Sequence, residues 1–154
     1  MDIENILRKY DEMVAQGQMQ AAVEYLDKKA AECVEEGESI SAITIFNELE
    51  GFWRVAGDKE KSYAAAEAAL GLISSGAMEG SIGHATTLLN YATAKTAFGE
   101  AKDALELYER VAKIYDWQLP EDDYRSAGLS NNLAQSLRRV NDVKAPGDFF
   151  GKWL

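Results

Sequence analysis

Asparagine residues at repeated spacing are the side chains of this sequence that most clearly point to binding chemistry. Asn90 and Asn132 begin two similar tripeptides, Asn-Tyr-Ala and Asn-Leu-Ala, in successive parts of an internal repeat. An asparagine side chain offers both a carbonyl acceptor and amide donors. A row of asparagines on one helix face can therefore hold an extended peptide backbone whatever its side chains are. This spacing predicts a surface that binds a peptide.

Arginines add charge recognition to the same predicted helix faces. Counted back from each predicted turn, the helix face opposite the packing stripe takes successive steps of three and four residues. This face carries Arg54, Arg138 and Arg139 as well as the asparagines. Because arginine forks suit carboxylates, we expect a peptide or protein partner with acidic residues or a free C-terminal carboxylate. The predicted binding residues are Asn47, Arg54, Asn90, Thr93, Asn131, Asn132, Gln135, Arg138 and Arg139. The alternative is that about half of them are only solvated or structural.

Catalytic, metal and cofactor chemistry has little support in the sequence. His84 is the only histidine and Cys33 the only cysteine, so neither an intrachain disulfide nor a metal–thiolate site is expected. A lone histidine near a helix start is typical of a surface or capping residue. The serines lack the GxSxG context of a nucleophile, and no glycine-rich phosphate-binding motif occurs. We therefore expect no enzyme, no catalytic residue, no metal ligand and no cofactor.

Composition and charge exclude several classes of partner. The chain has 154 residues with a formal net charge of −10. A surface this acidic repels phosphate backbones and anionic lipids, so neither nucleic acid nor membrane is expected as a partner. The first residues are charged and lack the apolar region of a signal peptide. No uncharged apolar run approaches the roughly 20 residues of a membrane span. The expected location is cytoplasmic.

An internal repeat organises the chain. Gly57, Gly99 and Asn141 are evenly spaced, at the interval that also separates the two asparagines, and Gly17 precedes Gly57 by a slightly shorter interval. Between these marks, apolar residues recur at helical spacing on both sides of a break. Each unit is therefore predicted to be two helices joined by a tight turn, with the glycine supplying the positive φ that ends the first helix.

Small residues mark the predicted crossing point of the two helices. In the third unit Ala92 and Ala104 are expected where the antiparallel helices approach most closely, because a large side chain there would hold the backbones apart. The corresponding slot of the second unit holds Glu50, with Gly51 beside it. The sequence therefore defines the register of that hairpin less clearly than the register of the third unit.

These residues resemble the tetratricopeptide repeat (TPR), and their 42-residue spacing is similar to the kinesin-light-chain type of that repeat. Three positions depart from the pattern of the family: Lys95, Val111 and Asp116. The slots of the family are filled in the third unit by Leu88, Tyr91, Ala92, Ala104 and Tyr108. In the family, asparagine at the position of Asn90 commonly holds the backbone of a bound peptide.

The resemblance implies an all-α fold, an α-α superhelix (a TPR-like solenoid) of about three and a half helical hairpins with a concave face. It implies a single domain over residues 1–154. The hairpins are expected at about 2–37, 38–78, 79–119 and 120–154. The last half is degenerate, since Pro146 stands where Ala104 stood and proline costs a helix interior roughly 3 kcal/mol.

The sequence therefore predicts a non-enzymatic scaffold that binds a peptide or partner protein in its concave groove. Two alternatives stay open. The first is a homo-oligomerisation module that uses the apolar tail, residues 143–154, because exposed apolar patches often mark interfaces. The second is the sensor part of a peptide-responsive regulatory system, whose effector would be a separate protein.

Overall fold

The computed structural model describes residues 2–141, which form seven α-helices and, within that range, no strand. The predicted all-α fold is confirmed. Asn141 is the last described residue, so the predicted degenerate half-hairpin and the apolar tail 143–154 lie outside the described residues. None of the described helices is both long and apolar enough to cross a membrane. The helices are α1 Ile3–Ala15, α2 Met19–Glu35, α3 Ser39–Ala56, α4 Lys59–Ser75, α5 Ile82–Ala97, α6 Ala101–Gln118 and α7 Tyr124–Asn141.

The chain forms two compact units, the first spanning Met1–Glu79 and the second beginning at Gly80. In the first unit α1 packs on α2, α2 on α3 and α3 on α4. In the second unit α5 packs on α6 and α6 on α7, and α5 also contacts α7. Within each unit, consecutive helices thus pack against one another as helical hairpins. Four of the described helix starts are capped in the usual way, because Asp2, Asp58, Ser81 and Asp123 each accept a hydrogen bond from a backbone N–H of the first turn.

The turns that end α1 to α5 share one hydrogen-bonding pattern. Gly99 is representative: its N–H donates to the Thr96 carbonyl at 3.2 Å, and the Glu100 N–H donates to the Lys95 carbonyl at 2.7 Å. These two bonds are the Schellman motif, which satisfies carbonyls that the helix end leaves open. Gly17, Gly37, Gly57 and Gly99 all adopt φ between +75° and +85°. The predicted turns at Gly17, Gly57 and Gly99 are confirmed.

Ala77 occupies the same turn position after α4, although it is not a glycine. Its φ is +55°, and its N–H donates to the Ser74 carbonyl at 3.3 Å while the Met78 N–H donates to Ile73 at 2.9 Å. Positions 17, 37, 57 and 77 are therefore equivalent and evenly spaced along the chain. The sequence pattern identified the turns at Gly17 and Gly57 within hairpins and predicted hairpin boundaries near Gly37 and Ala77, but it did not identify these two as turns of the same type.

Each unit has a core of closely packed small and aliphatic side chains. In the second unit Ala92 and Ala104 are both fully buried, as the close crossing of α5 and α6 requires. In the first unit the α1–α2–α3 packing buries Ile6, Tyr10, Ala22, Leu26, Ala30, Cys33, Ile45 and Leu49. Ile3 and Met13 of α1 are partly buried against this cluster.

Candidate functional site

The predicted binding residues fall into two groups, one in each unit. Asn47 and Arg54 lie on α3 in the first unit, and the other seven lie on α5 and α7 in the second. Within the second unit the contact between α5 and α7 places Asn90 and Thr93 on one helix and the remaining residues on its neighbour. Each group is a separate candidate site.

A buried polar network joins the C-terminal halves of α5 and α7. The Thr96 hydroxyl lies 3.4 Å from the Ser136 hydroxyl, and the Ser136 hydroxyl donates to the Ala101 carbonyl at 3.1 Å. Arg139 Nη1 donates to the Thr96 carbonyl at 2.6 Å. Arg139 was predicted to recognise ligand charge, whereas in the structure its guanidinium bridges two helices. Ser136 was not identified from the sequence.

Asn90 and Asn132 lie on the neighbouring helices α5 and α7, each half-buried. Both helices pack on α6 after a short connection, so they run in the same direction. Asn90 precedes Thr96 by about one and a half helical turns, and Asn132 precedes Ser136 by about one turn. The two asparagines therefore stand at similar levels along the helices. Neither side chain makes a hydrogen bond with another described residue.

The remaining residues of this group lie on the same two helices as the two asparagines. Thr93 is half-buried, and its hydroxyl donates to the Leu89 carbonyl of its own helix at 2.9 Å. Asn131, Gln135 and Arg138 are exposed on α7. We use the name α5–α7 face for Asn90, Thr93, Asn131, Asn132, Gln135 and Arg138. This face offers amide donors and acceptors and one guanidinium, which is a surface suited to a peptide backbone with an acidic group.

In the first unit, Arg54 is already engaged with a carboxylate. Arg54 Nε lies 3.5 Å from Glu50 Oε2, and the Arg54 side chain is one-quarter exposed. Asn47, about two helical turns before Arg54 on α3, is half-buried. The i, i+4 spacing of Glu50 and Arg54 is visible in the sequence and predicts such a pair. Arg54 had been predicted only as a ligand-binding residue.

Glu50 is fully buried where α3 crosses α4. The Ser62 hydroxyl lies 3.1 Å from the Glu50 main-chain carbonyl and 3.2 Å from Glu50 Oε2. Burial raises the pKa of the Glu50 carboxyl above its ordinary value, and the charge of Arg54 and the Ser62 hydrogen bond offset only part of that effect. The Glu50 Oε1 atom is buried without a hydrogen-bond partner among the described residues. Such an atom is costly unless the carboxyl is neutral or finds another partner.

An open pocket of about 570 Å³ lies between α1 and α2. The Tyr25 ring is flanked by two ammonium groups, with Lys9 Nζ at 4.8 Å and Lys29 Nζ at 5.8 Å from its centroid. Arg8 Nη2 donates to Asn5 Oδ1 at the same rim. The pocket is lined by Asp2, Asn5, Ile6, Arg8, Lys9, Glu12, Tyr25 and Lys29. The lining carries both signs of charge, with the cations Arg8, Lys9 and Lys29 and the carboxylates Asp2 and Glu12.

His84 anchors the start of α5. Its Nδ1 accepts a hydrogen bond from the Gly80 N–H at 3.0 Å, and the Gly80 carbonyl accepts one from Gln118 Nε2 at 2.9 Å. The side chain is buried, so the expectation of a surface residue is wrong, while the expectation of a capping role agrees with this contact. Within residues 2–141 there is no cluster of three histidine, cysteine, aspartate or glutamate side chains that could hold a metal ion.

Comparison with known proteins adds no assignment. No family model matches the sequence, and no curated protein matches it either.

Proposed function

We propose that the protein is a non-enzymatic TPR-like scaffold that binds an extended peptide, or an extended segment of a partner protein, along the α5–α7 face. One observation carries the proposal. Asn90 and Asn132 stand at similar levels on adjacent parallel helices, half-buried and without a hydrogen bond to another described residue. Two amides at similar levels on a hydrogen-bonded helix pair leave their donors and acceptors available to a ligand.

The chemistry of the amides explains how the ligand would be held. Each asparagine carbonyl can accept from a peptide N–H, and each side-chain NH₂ can donate to a peptide carbonyl. Because the contacts go to the backbone, the interaction would tolerate different side chains in the ligand. The exposed guanidinium of Arg138 would add a contact to an acidic residue or a C-terminal carboxylate.

The rigidity of the helix pair supports the same proposal. Ser136 and Arg139 tie α7 to Thr96 at the end of α5, and Ser136 also bonds the first residue of α6. A binding face fixed before the ligand arrives loses less conformational entropy on binding than a mobile one. In this proposal Arg139 positions the helices and does not contact the ligand.

A selected peptide ligand tests the proposal. Binding peptides would be isolated from a random peptide library, and their dissociation constants measured by calorimetry for the wild type and for the double variant Asn90→Ala/Asn132→Ala. Losing two polar partners should cost about 1–3 kcal/mol, or a rise in Kd of roughly 5- to 150-fold. Gln20→Ala removes an exposed amide from α2 and is the matched control, with no change expected. An unchanged Kd in the double variant rejects the α5–α7 face.

Self-association is the second candidate, and exposed aromatic residues favour it. Trp117 at the end of α6 is 89% exposed and Tyr124 at the start of α7 is 80% exposed. Large exposed apolar side chains often belong to interfaces. The predicted tail 143–154 lies outside the described residues and stays a prediction, as does the role of a sensor in a regulatory system. Light scattering on the wild type, on Trp117→Ser and on a chain lacking 143–154 tests this candidate, since a monomer in all three rejects it.

A cytoplasmic location is part of the proposal and rests on the sequence alone. A fusion to a fluorescent protein, imaged in the native cell, would test it directly.

A further inference from the structure

The crossing of α3 and α4 contains a carboxyl group where the equivalent crossing of α5 and α6 contains only methyl groups. Glu50 and Ser62 occupy the positions that Ala92 and Ala104 fill one repeat later, and all four residues are fully buried. A buried carboxylate is costly unless it is paired or protonated. Packing alone therefore does not explain why a glutamate occupies this buried position.

The hydrogen bonds around Glu50 are too few for a fully charged carboxylate. The Ser62 hydroxyl has one proton to share between the main-chain carbonyl and Oε2 of Glu50. The only other contact is Arg54 Nε, at 3.5 Å from Oε2, and Oε1 has no partner among the described residues. The charged form of Glu50 thus depends on Arg54 as its one counter-ion in the described part of the chain.

Charged groups on the neighbouring elements are directed elsewhere. On α4, Lys61 Nζ lies 4.3 Å from the centroid of the Trp53 ring, and its charge acts on Asp27 of α2. On α3 itself, Glu48 interacts with Asp11 of α1. The charge that acts on the Glu50 carboxyl is that of Arg54.

The Arg54 guanidinium has a second edge, formed by its two Nη groups. The guanidinium passes over Gly51, where an added Cβ would come 3.6 Å from Arg54 Nη2. Neither Nη group donates a hydrogen bond to another described residue, and the side chain is one-quarter exposed. The two Nη groups form the edge of the guanidinium that can bind a carboxylate or another oxyanion through two parallel bonds.

We propose that Glu50 is a positioning residue that couples the anion affinity of Arg54 to a proton. When Glu50 is charged, Arg54 is held as its counter-ion; when Glu50 is protonated, Arg54 is released to bind an oxyanion. The inference goes beyond the proposed function, because it assigns an anion-binding group to the first unit alone and needs no peptide on the α5–α7 face.

The direction of the coupling follows from thermodynamic linkage. An oxyanion bound to Arg54 withdraws the counter-ion from Glu50, so it favours the protonated form of Glu50. By reciprocity, protonation of Glu50 favours anion binding to the same degree. Burial already raises the pKa of the Glu50 carboxyl, so the transition occurs above the pH range of an exposed glutamate. Anion affinity at Arg54 should therefore rise as the pH falls.

Inorganic sulfate is a suitable probe, because it keeps its charge across this pH range and does not require the peptide ligand. Carbon-detected NMR would follow the guanidinium resonances of Arg54 and Arg110 during sulfate titrations near pH 5 and pH 8. Arg110 is exposed on α6 and reports the general effect of net charge. The Kd at Arg54 should fall by about fivefold or more at the lower pH, beyond any change at Arg110.

The variant Glu50→Gln keeps the shape of the side chain without its charge. It should bind sulfate at Arg54 with the affinity of the low-pH wild type at both pH values. Glu48→Gln, which removes a charge from the same helix, should leave the pH dependence in place. Equal pH dependence at Arg54 and Arg110 overturns the proposal, and so does the absence of sulfate binding at Arg54.

A second measurement covers the case in which Glu50→Gln does not fold. The carboxyl resonance of Glu50 can be titrated in the wild type and in Arg54→Gln. Loss of the counter-ion should raise the midpoint of that titration, and an unchanged midpoint overturns the coupling. None of these experiments uses the α5–α7 face, so failure of the peptide-binding test and failure of this inference are distinguishable.

Discussion

Glu50 Oε2 and Ser62 Oγ lie 3.2 Å apart at the crossing of α3 and α4, in the two positions that Ala92 and Ala104 fill at the crossing of α5 and α6. Both crossings need small or mutually bonded side chains, because the helix backbones approach closely there. The second unit meets this requirement with two methyl groups. The first unit meets it with a hydrogen-bonded pair.

The crossing of α5 and α6 should not tolerate larger side chains. Ala92→Leu adds a branched side chain at a fully buried position and should lower the free energy of unfolding by about 1–3 kcal/mol or more. Urea unfolding followed by circular dichroism measures the change. Ala97→Leu places the same side chain at an exposed position of α5 and should cost little. Equal costs for the two variants would argue against a close crossing at Ala92.

The pair at the other crossing should make stability depend on pH. Because burial raises the pKa of the folded-state Glu50 carboxyl, the folded chain holds that proton more tightly than the unfolded chain. The contribution of Glu50 to the free energy of unfolding is therefore most favourable below the pKa that glutamate has in the unfolded chain. It is lost as the pH rises toward the pKa that Glu50 has in the folded chain. Glu50→Gln should lose less stability between about pH 5 and pH 8 than the wild type.

Urea unfolding at the two pH values measures this difference, with the exposed Glu35→Gln as the control variant. The control should show the same pH dependence as the wild type. If Glu50→Gln loses as much stability between the two pH values as the wild type does, then ionisation of Glu50 does not destabilise the folded chain. The interpretation of the crossing is then wrong.

The turn after α4 should gain from a glycine. Ala77 holds φ at +55°, a conformation that costs a residue with a Cβ about 1–2 kcal/mol. Ala77→Gly should therefore raise the free energy of unfolding by about 0.5–1 kcal/mol, after the greater freedom of glycine in the unfolded chain is subtracted.

The opposite substitution at an equivalent turn is the matched control. A Cβ at Gly57 would meet no atom within 4 Å, so Gly57→Ala tests the backbone angle alone. It should lower the free energy of unfolding by about 1 kcal/mol. A loss of stability in Ala77→Gly, measured by urea unfolding, would contradict the equivalence of the two turns.

The Asp123 carboxyl at the start of α7 should stay charged at a lower pH than the carboxyl of an ordinary aspartate. Asp123 Oδ1 accepts from the Arg125 backbone N–H and from Arg125 Nε, both at 2.9 Å, and Oδ2 accepts from Arg125 Nη2 at 2.9 Å. These bonds lower the pKa of Asp123 to about 2. The depressed value means that the contribution of Asp123 to stability is present above the unfolded pKa of aspartate and is lost as the pH falls toward about 2.

An NMR titration of the Asp123 carboxyl checks this value directly. The midpoint should lie near 2 in the wild type and move up toward the ordinary value for aspartate in Arg125→Gln. A wild-type midpoint close to that of an exposed aspartate would mean that the bidentate pair does not persist in solution.

The sequence predicted the parts of the fold that depend on local chemistry. The turns at Gly57 and Gly99 follow from the freedom of glycine at positive φ, and the crossing at Ala92 and Ala104 follows from size. A hairpin boundary was predicted near Ala77, but its turn type was not recognised, because the residue type does not favour the conformation it adopts.

The candidate site could be predicted only in part. The spacing of Asn90 and Asn132 identified two amides that the structure places on adjacent helices. The bridging contact of Arg139 could not be foreseen, because its acceptor is a main-chain carbonyl, which every residue possesses. The Glu50–Arg54 pair was visible as an i, i+4 spacing, but its burial depends on the packing of α4 against α3.

The most direct test of the central claim observes the side-chain amides of Asn90 and Asn132 while a library-selected peptide is added. We expect their NMR signals to shift together, with one saturation curve that matches the calorimetric Kd, while the amide of Gln20 stays unchanged. Saturable peptide binding that leaves both asparagine amides unmoved would contradict the proposal that the α5–α7 face binds the peptide.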